Sequence, residues 1–437
     1  MVDNLNKARF HTLGCKLNQS ESNQIGNILS AAGIAERMQK DEENPDIVFI
    51  NSCAVTGKAA AKSRHAINRL VKENPEAIVI VTGCMAQLDP EGTGSIPGVD
   101  YVLGIDERFS TDWWQGKPEQ PIVRVSSDPF RIRADLEKQS LNRARPLLKI
   151  QDGCDHFCSY CIIPLLRGTC RSLPAEDVLV CAKRLVDIGA EEIVLTGVRI
   201  GAWGKDLKGG ESFKRLLGDL TAIGGLRRIR LGSVEPWEID EELIRIVIDN
   251  PGICNHLHVP IQHTSREVLR AMGRPRLERT LELLVDAKKS NPLLGFGIDV
   301  ILGFPGETEA DFDKLVSDIS NLPITYLHAF GYSERPGTKA AKLKFRLSPA
   351  EIKRRVTSVT NIGQEKRVIF SKQQIGRICH AIPDHIQPNQ EYTKAITGNY
   401  LRLKLKSSGL TAGKCLRVRI DHDSGDDLIG IPDNNLF

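Results

Sequence analysis

The chain has 437 residues, 11 cysteines and a net formal charge of +4, enough for about three domains of ~150 residues that each bury a core. No apolar run approaches the ~18–20 residues of a membrane span and Met1 to Phe10 lacks a signal-peptide core, so a cytoplasmic protein without membrane segments is predicted. In that compartment disulfide frameworks are rare and metal ligation or catalysis is the better default for the thiols, while a charge of +4 favours nucleic acid only mildly.

Residues 1–135 are predicted to form one domain of alternating strands and helices. Arg9 to Leu13 leads into Gly14-Cys15, and a helical stretch runs from about Ser20 to Ala32. Asp46 to Ile50 leads into Asn51-Ser52-Cys53, and Ala77 to Val81 ends at Thr82-Gly83-Cys84. Short apolar runs alternating with helices imply a parallel, flavodoxin-like α/β sheet. Such sheets bind ligands outside the carboxyl ends of their strands. Each strand delivers one cysteine to that edge, so Cys15, Cys53 and Cys84 are expected to converge. Taken singly, any of them reads as a small core residue; three at equivalent strand ends predict an iron–sulfur cluster.

Residues 140–369 repeat a strand and helix unit. Strands are predicted at Leu147 to Gln151, Glu192 to Thr196, Arg228 to Ser233, His256 to Ile261, Phe296 to Phe304 and Tyr326 to Tyr332. Helical stretches such as Asp177 to Asp187, Glu241 to Asp249 and Glu309 to Ile319 lie between them. Six units imply a partial (β/α)6 barrel, which binds its substrate at the carboxyl ends of the strands. The first strand runs into Cys154-Asp155-His156-Phe157-Cys158-Ser159-Tyr160-Cys161. A four-iron cubane is normally closed by four thiolates, so three cysteines in one loop leave one iron open to a small molecule. The same spacing also suits a tetrahedral zinc completed by His156 or Cys170. Thr196 to Arg199, Ser233 to Pro236, Gln262-His263 and Leu302 to Thr308 end the other strands and line one rim; each alone marks no more than a turn.

Residues 370–437 change character. Tyr400 to Lys406 and Cys415 to Ile420 alternate apolar and basic residues, the period of a half-buried strand with a positive outer face. A small β-barrel is predicted. Its basic face suits RNA or simply solvent, and Asp421 to Asp427 interrupts it with an acidic loop.

These features resemble the methylthiotransferases of the radical S-adenosylmethionine (SAM) superfamily, in the same order over nearly the whole chain. The resemblance is carried by Thr12-Leu13-Gly14-Cys15-Lys16-Leu17-Asn18, Asn51-Ser52-Cys53-Ala54-Val55-Thr56, Thr82-Gly83-Cys84, the loop Cys154 to Cys161, Ser233-Val234-Glu235-Pro236 and Gly303 to Thr308. Gly14 to Ser22 and Ile150-Gln151-Asp152-Gly153-Cys154 most resemble the branch acting on threonylcarbamoyladenosine beside the tRNA anticodon, at position 37. Two departures stand out: Gln262-His263-Thr264 where the family often has Gln-Ser-Gly, and Arg171-Ser172-Leu173 where it has Arg-Ser-Arg.

The resemblance implies two 4Fe–4S clusters and SAM as cofactors. Cys154, Cys158 and Cys161 would hold the SAM cluster, Cys15, Cys53 and Cys84 the auxiliary one, and the tail would be a TRAM RNA-binding module. Reductive cleavage of SAM would give a deoxyadenosyl radical that takes hydrogen from carbon two of the adenine, chemistry that no side chain supplies. The auxiliary cluster would carry the sulfur that is methylated and transferred. Tyr160 would lie beside the SAM adenine, Gly197 near the amino group, Glu235 at the ribose and Arg171 at a carboxylate. Arg167, Arg171, Lys58, Lys62 and Arg64 are alternatively phosphate contacts or solvated surface. Cys170, Cys181, Cys254, Cys379 and Cys415 match no motif, and Cys181 reads as core. The implied partners are a tRNA anticodon stem-loop and a reducing donor of flavodoxin or ferredoxin type, with the chain acting as a monomer. Alternatives are methylthiolation of isopentenyladenosine in tRNA or of a ribosomal-protein aspartate. In another class stands a non-catalytic cluster protein that binds RNA or carries sulfur.

Overall fold

Apolar runs such as Ile47-Val48-Phe49-Ile50 have no polar face to offer solvent, so the strands they form must be covered on both sides. The computed structural model, which describes residues 6–38, 42–127, 132–135, 137, 141, 143–387, 390–423 and 428–433, covers this one with helices on both faces. Strands β1 (Asn6–Thr12), β2 (Ala35–Arg37), β3 (Ile47–Ser52), β4 (Ile78–Gly83), β5 (Tyr101–Leu103) and β6 (Ile122–Arg124) pair in parallel in the order β2-β1-β3-β4-β5-β6. The helix Lys16–Ala31 buries Ile25 and Leu29 with Phe49, Ile80 and Tyr101 on one face. The helix Gly57–Glu73 buries Ile67 and Leu70 with Val48, Ile50, Val79 and Val81 on the other. The predicted flavodoxin-like sheet is present, with the short edge strands β2, β5 and β6 added to it.

The second body begins at β7 (Leu147–Lys149). Gln151, expected in that strand, belongs instead to β8 (Gln151–Asp152), which pairs antiparallel with β9 (Arg171–Ser172) and ties the two ends of the cysteine loop together. Strands β10 (Glu192–Thr196), β11 (Arg228–Arg230), β12 (His256–Gln262), β13 (Gly295–Leu302) and β14 (Tyr326–Gly331) follow. β7, β10 and β11 form one parallel sheet and β12, β13 and β14 another, and parallel bridges Ile229–Ile253 and Ser233–His258 join them. The result is the expected open barrel of six strands in sequence order. In β13 the alternate residues Phe296, Ile298, Val300 and Leu302 are fully buried against the helices, which leaves Asp299 on the inner face, since side chains alternate along a strand. The helix Pro349–Lys372, capped by the Ser348 hydroxyl accepting from the Glu351 amide, packs against β14. No helix was anticipated there, because its apolar stripe is interrupted by basic residues.

The third body is a closed barrel of β15 (Ile378–Pro383), β16 (Tyr392–Thr397), β17 (Arg402–Lys406), β18 (Leu416–Asp423) and β19 (Leu428–Pro432), in the order β15-β16-β17-β19-β18. Leu401, Leu403, Leu405, Val418 and Ile420 fill it while Arg402, Lys406 and Arg419 face out, as the alternation predicts. Residues 424–427 of the expected acidic loop lie outside the described residues. The small barrel plugs the floor of the larger one. Arg228 donates to the carbonyls of His380 and Ile396, and Arg230 to those of Thr397 and Gly398. The Tyr400 ring stacks on His256 at 4.6 Å.

Candidate active site

The register of the first sheet places Thr12 beside Asn51, Asn51 beside Thr82 and Ser52 beside Gly83, so its strands end level. Cys15 caps the helix Lys16–Ala31 and is exposed; Cys53 and Cys84 are buried. Gly14 (φ +98°) brings the first turn so close to Cys53 that a Cβ there would lie 3.1 Å from the Cys53 Sγ, a conformation and a fit that favour glycine. Polar motif residues are the scaffold of this edge. The Asn18 amide donates to the carbonyls of Leu13 and Ser52, and Asn51 donates to the carbonyl of Asn18. The Ser63 hydroxyl accepts from the Cys53 amide and donates to the Cys53 carbonyl. Burial pushes the Cys84 thiol up to about 11 and raises Cys53. Cys15 and Cys53 raise Cys84 further, and Cys15 raises Cys53, so the three thiols lie within one another's field. Neutral surroundings would leave Cys53 and Cys84 protonated. A cationic metal centre supplies the charge that lets them ionise, which is the chemistry the donor set fits.

The second thiol set is built on a tight turn. Gly153 (φ +70°) could accept no side chain, since a Cβ would sit 1.8 Å from the Thr169 carbonyl oxygen. Beside it the Cys154 amide donates to the Gly168 carbonyl at 3.0 Å. The far side of the loop is pinned by the Ser159 amide donating to Met272 O at 2.8 Å and the Ala340 amide donating to Ser159 O at 2.7 Å. Burial pushes Cys154 up to about 11 and Cys161 up to about 12 and raises Cys158, and the three again act on one another. Arg274 lies 3.6 Å from Cys158 Sγ, pairs with Glu235 at 2.6 Å and reaches the Tyr160 hydroxyl at 3.4 Å, while Arg199 acts on Cys154. Arg274 carries no motif of its own in the sequence. The only local signal is Gly273, whose left-handed backbone ends the helix Arg266–Met272 and turns Arg274 inward.

Tyr160 packs among Val268, Met272 and Phe304, and Glu235 is held by Arg274, its charge acting on all three loop thiols. Gly197 follows β10 and lies against Gln151, where a Cβ would meet the Gln151 carbonyl oxygen at 2.8 Å. Arg171 is buried in β9 opposite Asp152 and donates to Thr169 O. His156 stacks on Trp237 at 4.2 Å, and Cys170 Sγ accepts from Gln151 at 3.3 Å. Cys181 is fully buried in the barrel core, as expected. Arg167 is no phosphate contact: it is 1 % exposed and bound to Glu21 and Asp152. Lys58, Lys62 and Arg64 are exposed on the helix Gly57–Glu73.

The inner wall of the barrel carries a further constellation. Asp299 Oδ1 lies 3.1 Å from His258 Nε2 and 3.0 Å from His328 Nδ1, and His258 Nδ1 lies 2.8 Å from Ser233 Oγ. Burial raises the Asp299 carboxyl, but the hydrogen bonds from His258 and His328 outweigh it and hold the group at about 2. These residues come from β12, β13, β14 and the end of β11. The period-two pattern His256-Leu257-His258 hinted at the inner face, but nothing in the sequence paired it with Asp299.

The thiol edge of the first body docks on the barrel. The Gly57 amide, just past the Cys53 loop, donates to Ser333 Oγ at 2.9 Å beyond β14, and Glu21 reaches Arg167. Comparison with known proteins agrees with this assembly. Residues 7–104 match the family described as uncharacterized protein family UPF0004, and residues 148–319 match the radical SAM superfamily. The chain is 36% identical over 425 residues to the threonylcarbamoyladenosine tRNA methylthiotransferase MtaB of Bacillus subtilis, covering 94% of this chain and 93% of that protein. The chain belongs to the radical SAM methylthiotransferase family. MtaB of Aquifex aeolicus is 33% identical over 95% of this chain and 100% of its own length. The tRNA-2-methylthio-N(6)-dimethylallyladenosine synthase of Moorella thermoacetica is 30% identical, covering 94% of each chain. Among solved structures, the radical SAM methyltransferase TsrM from Kitasatospora setae, with cobalamin and a 4Fe–4S cluster bound, shares the fold with a TM-score of 0.56 at 16% identity over 77% of each chain. As a member of this family the chain is a radical SAM enzyme whose cofactors are 4Fe–4S clusters and SAM.

Proposed function

We infer that the chain methylthiolates N6-threonylcarbamoyladenosine beside the tRNA anticodon, at position 37, giving the 2-methylthio derivative. The observation that carries this reading is the pair of three-thiol sets, each one ligand short of closing a cubane, on two bodies docked edge to mouth. The choice of base follows the higher identity to the threonylcarbamoyladenosine enzymes than to the dimethylallyladenosine ones.

In this reading residues 1–135 hold the auxiliary cluster through Cys15, Cys53 and Cys84, and residues 140–369 hold the SAM cluster through Cys154, Cys158 and Cys161. Residues 370–437 hold RNA. When bound, the SAM cluster and SAM supply the radical that activates carbon two of the adenine, and the auxiliary cluster supplies the sulfur. The chain's own groups bind and orient. Arg274 fixes Glu235 for a ribose hydroxyl and steadies Cys158, and Tyr160 walls the adenine side. Gly197 keeps the β10 rim open toward the SAM amino group, and Arg171 supports the loop from behind. Asp299, His258 and His328 present fixed polar atoms inside the barrel, where the target base would be oriented.

The basic face of the small barrel supports RNA as partner. Lys394 and Lys404 are cross-strand neighbours on β16 and β17, and Arg402 and Lys406 are exposed on the same strand as Lys404, a row of cations suited to backbone phosphates. A reducing donor of flavodoxin or ferredoxin type would deliver electrons to a monomeric, cytoplasmic enzyme. Among the described residues no helix is long and apolar enough to cross a membrane.

Mass spectrometry of tRNA nucleosides from cells with and without the gene tests the reading. Loss of the methylthio derivative with accumulation of threonylcarbamoyladenosine is expected. An unchanged profile would overturn it.

A further inference from the structure

Five ionisable side chains are sealed between the two cluster-bearing bodies. Glu21 and Arg108 come from the first; Lys149, Asp152 and Arg167 come from the barrel. Their exposures run from 0 to 5 %. Arg108 pairs with Glu21 at 2.6 Å, Arg167 with Glu21 at 2.8 Å and with Asp152 at 3.0 Å. Lys149 stands 3.6 Å from Glu21 and 3.7 Å from Asp152. Within this set three cations face two carboxylates, an excess of one positive charge, and at its margin Arg171 faces Asp152 while Asp135 faces Lys149, one further charge of each sign. Burying such a charge is costly unless an anion answers it.

The anion that answers it lies at the cysteine edge. Arg167 Nη2 is 4.0 Å from Cys84 Sγ, and the same nitrogen donates to Asn18 Oδ1 at 2.9 Å. Asn18 in turn ties Leu13 and Ser52, the residues that lead into Cys15 and Cys53. A cubane held by three thiolates carries net negative charge, because the thiolates outweigh the core. The surplus cation and the thiolate-bound centre are therefore complementary, and they touch at one residue.

We propose that this buried charge cluster is the fixed counter-charge of the auxiliary cluster, with Arg167 as the positioning residue that applies it to Cys84 and sets the cluster's reduction potential. A fixed positive charge next to a redox centre favours the electron-rich state, and hydrogen bonds to cluster sulfurs act in the same direction. Arg167 also ends the short helix Ile163–Arg167 that follows Cys161, so one segment runs from the SAM-cluster loop to the auxiliary site. The proposal rests on Cys15, Cys53 and Cys84 holding a cluster.

The experiment uses the full-length chain with Cys154, Cys158 and Cys161 all changed to Ala, loaded anaerobically with iron and sulfide. Iron counting comes first. Absence of a single cluster there would remove the site assignment and the proposal with it. With the cluster present, an EPR-monitored redox titration compares Arg167→Gln, Arg167→Lys and Glu21→Gln in that background. Arg167→Gln is expected to lower the reduced-to-oxidised ratio at fixed poise at least tenfold, about 59 mV for one electron. Glu21→Gln, which removes a negative charge, is expected to shift it the other way, and Arg167→Lys to stay near the parent. Should Arg167→Gln fail to retain iron, Lys149→Gln takes its place with the same expected sign. Potentials that do not move, or that move in one direction for both signs of charge change, overturn the proposal; general loosening of the fold has no reason to follow the sign of the charge.

Discussion

Glu192 at the start of β10 is the point at which the small barrel is fastened to the large one, and Glu192→Gln tests how firmly. The carboxylate is fully buried, with Arg228 Nε at 2.5 Å, Arg230 Nε at 2.8 Å and Arg145 at 3.9 Å. Removing its charge leaves Arg228 and Arg230 answered only by the neutral carbonyls of residues 380 and 396–398, while Arg145 keeps Asp384 at 3.1 Å. Breaking one side of a buried ion pair costs about 3–5 kcal/mol. Linkage gives a similar figure. Burial raises the carboxyl, yet Arg230 and Arg228 hold it at about 2 against an ordinary 4.5, which at ~1.4 kcal/mol per unit is about 3 kcal/mol. Because the folded-state pKa is depressed, this stabilisation is fully present above pH 4.5 and is lost as pH falls toward 2. Urea unfolding followed by circular dichroism should therefore show the variant weaker by about 3 kcal/mol at pH 7, with the gap to the parent closing on acidification. Binding of tRNA should weaken while SAM cleavage persists. A gap under about 1 kcal/mol at pH 7, or one that widens in acid, would refute the reasoning.

Cys158→Ala should abolish SAM cleavage, whereas Cys53→Ala should retain it and lose only methylthio transfer; 5′-deoxyadenosine and modified nucleoside are quantified by chromatography, and normal cleavage in both variants would defeat the division of labour. Replacing Lys394 and Lys404 together by Glu should weaken tRNA binding and make the log–log salt dependence shallower by about one per lost phosphate contact, measured by filter binding across salt concentrations. Asp299→Asn should cut methylthio product about tenfold, ~1.4 kcal/mol in the barrier, with SAM cleavage retained, because the base and not SAM is misplaced; equal loss of both activities would place Asp299 elsewhere in the reaction.

The parallel sheet, the six barrel strands and the two thiol sets were legible because each rests on local pattern. Val and Ile runs give strands, and a strand that ends in Gly-Cys or Ser-Cys gives a sheet edge. What local pattern does not carry is pairing across the chain. Arg167 looks like any surface arginine after Leu165-Leu166, and only the docking of the first body makes it a buried ion-pair partner of Glu21. Arg274 and Asp299 were silent for the same reason, since their partners Glu235, His258 and His328 lie on other strands. Gln151 was read as the end of the first barrel strand because it continues the run Leu147-Leu148-Lys149-Ile150, but it pairs in β8 instead, and its side-chain amide donates to the carbonyls of Asp152 and Gly153 and bends the chain into the cysteine loop.

Asn18 and Glu21 occupy one face of the helix that begins at Cys15, three residues apart, and both turn toward Arg167. Their motif serves two ends at once: Asn18 shapes the thiol edge by holding Leu13 and Ser52, and Glu21 binds the barrel. On the barrel side Asp152 and Arg167 bracket the second thiol set, lying just before Cys154 and just after Cys161, and they bond to each other at 3.0 Å. Docking and loop closure are thus made by the same side chains. The two thiol sets cannot be positioned independently, because any shift of the first body relative to the barrel pulls on the base of the loop that carries Cys154, Cys158 and Cys161. For a reaction that must bring one base to both centres, that shared anchor fixes their separation more firmly than separate hinged attachments would.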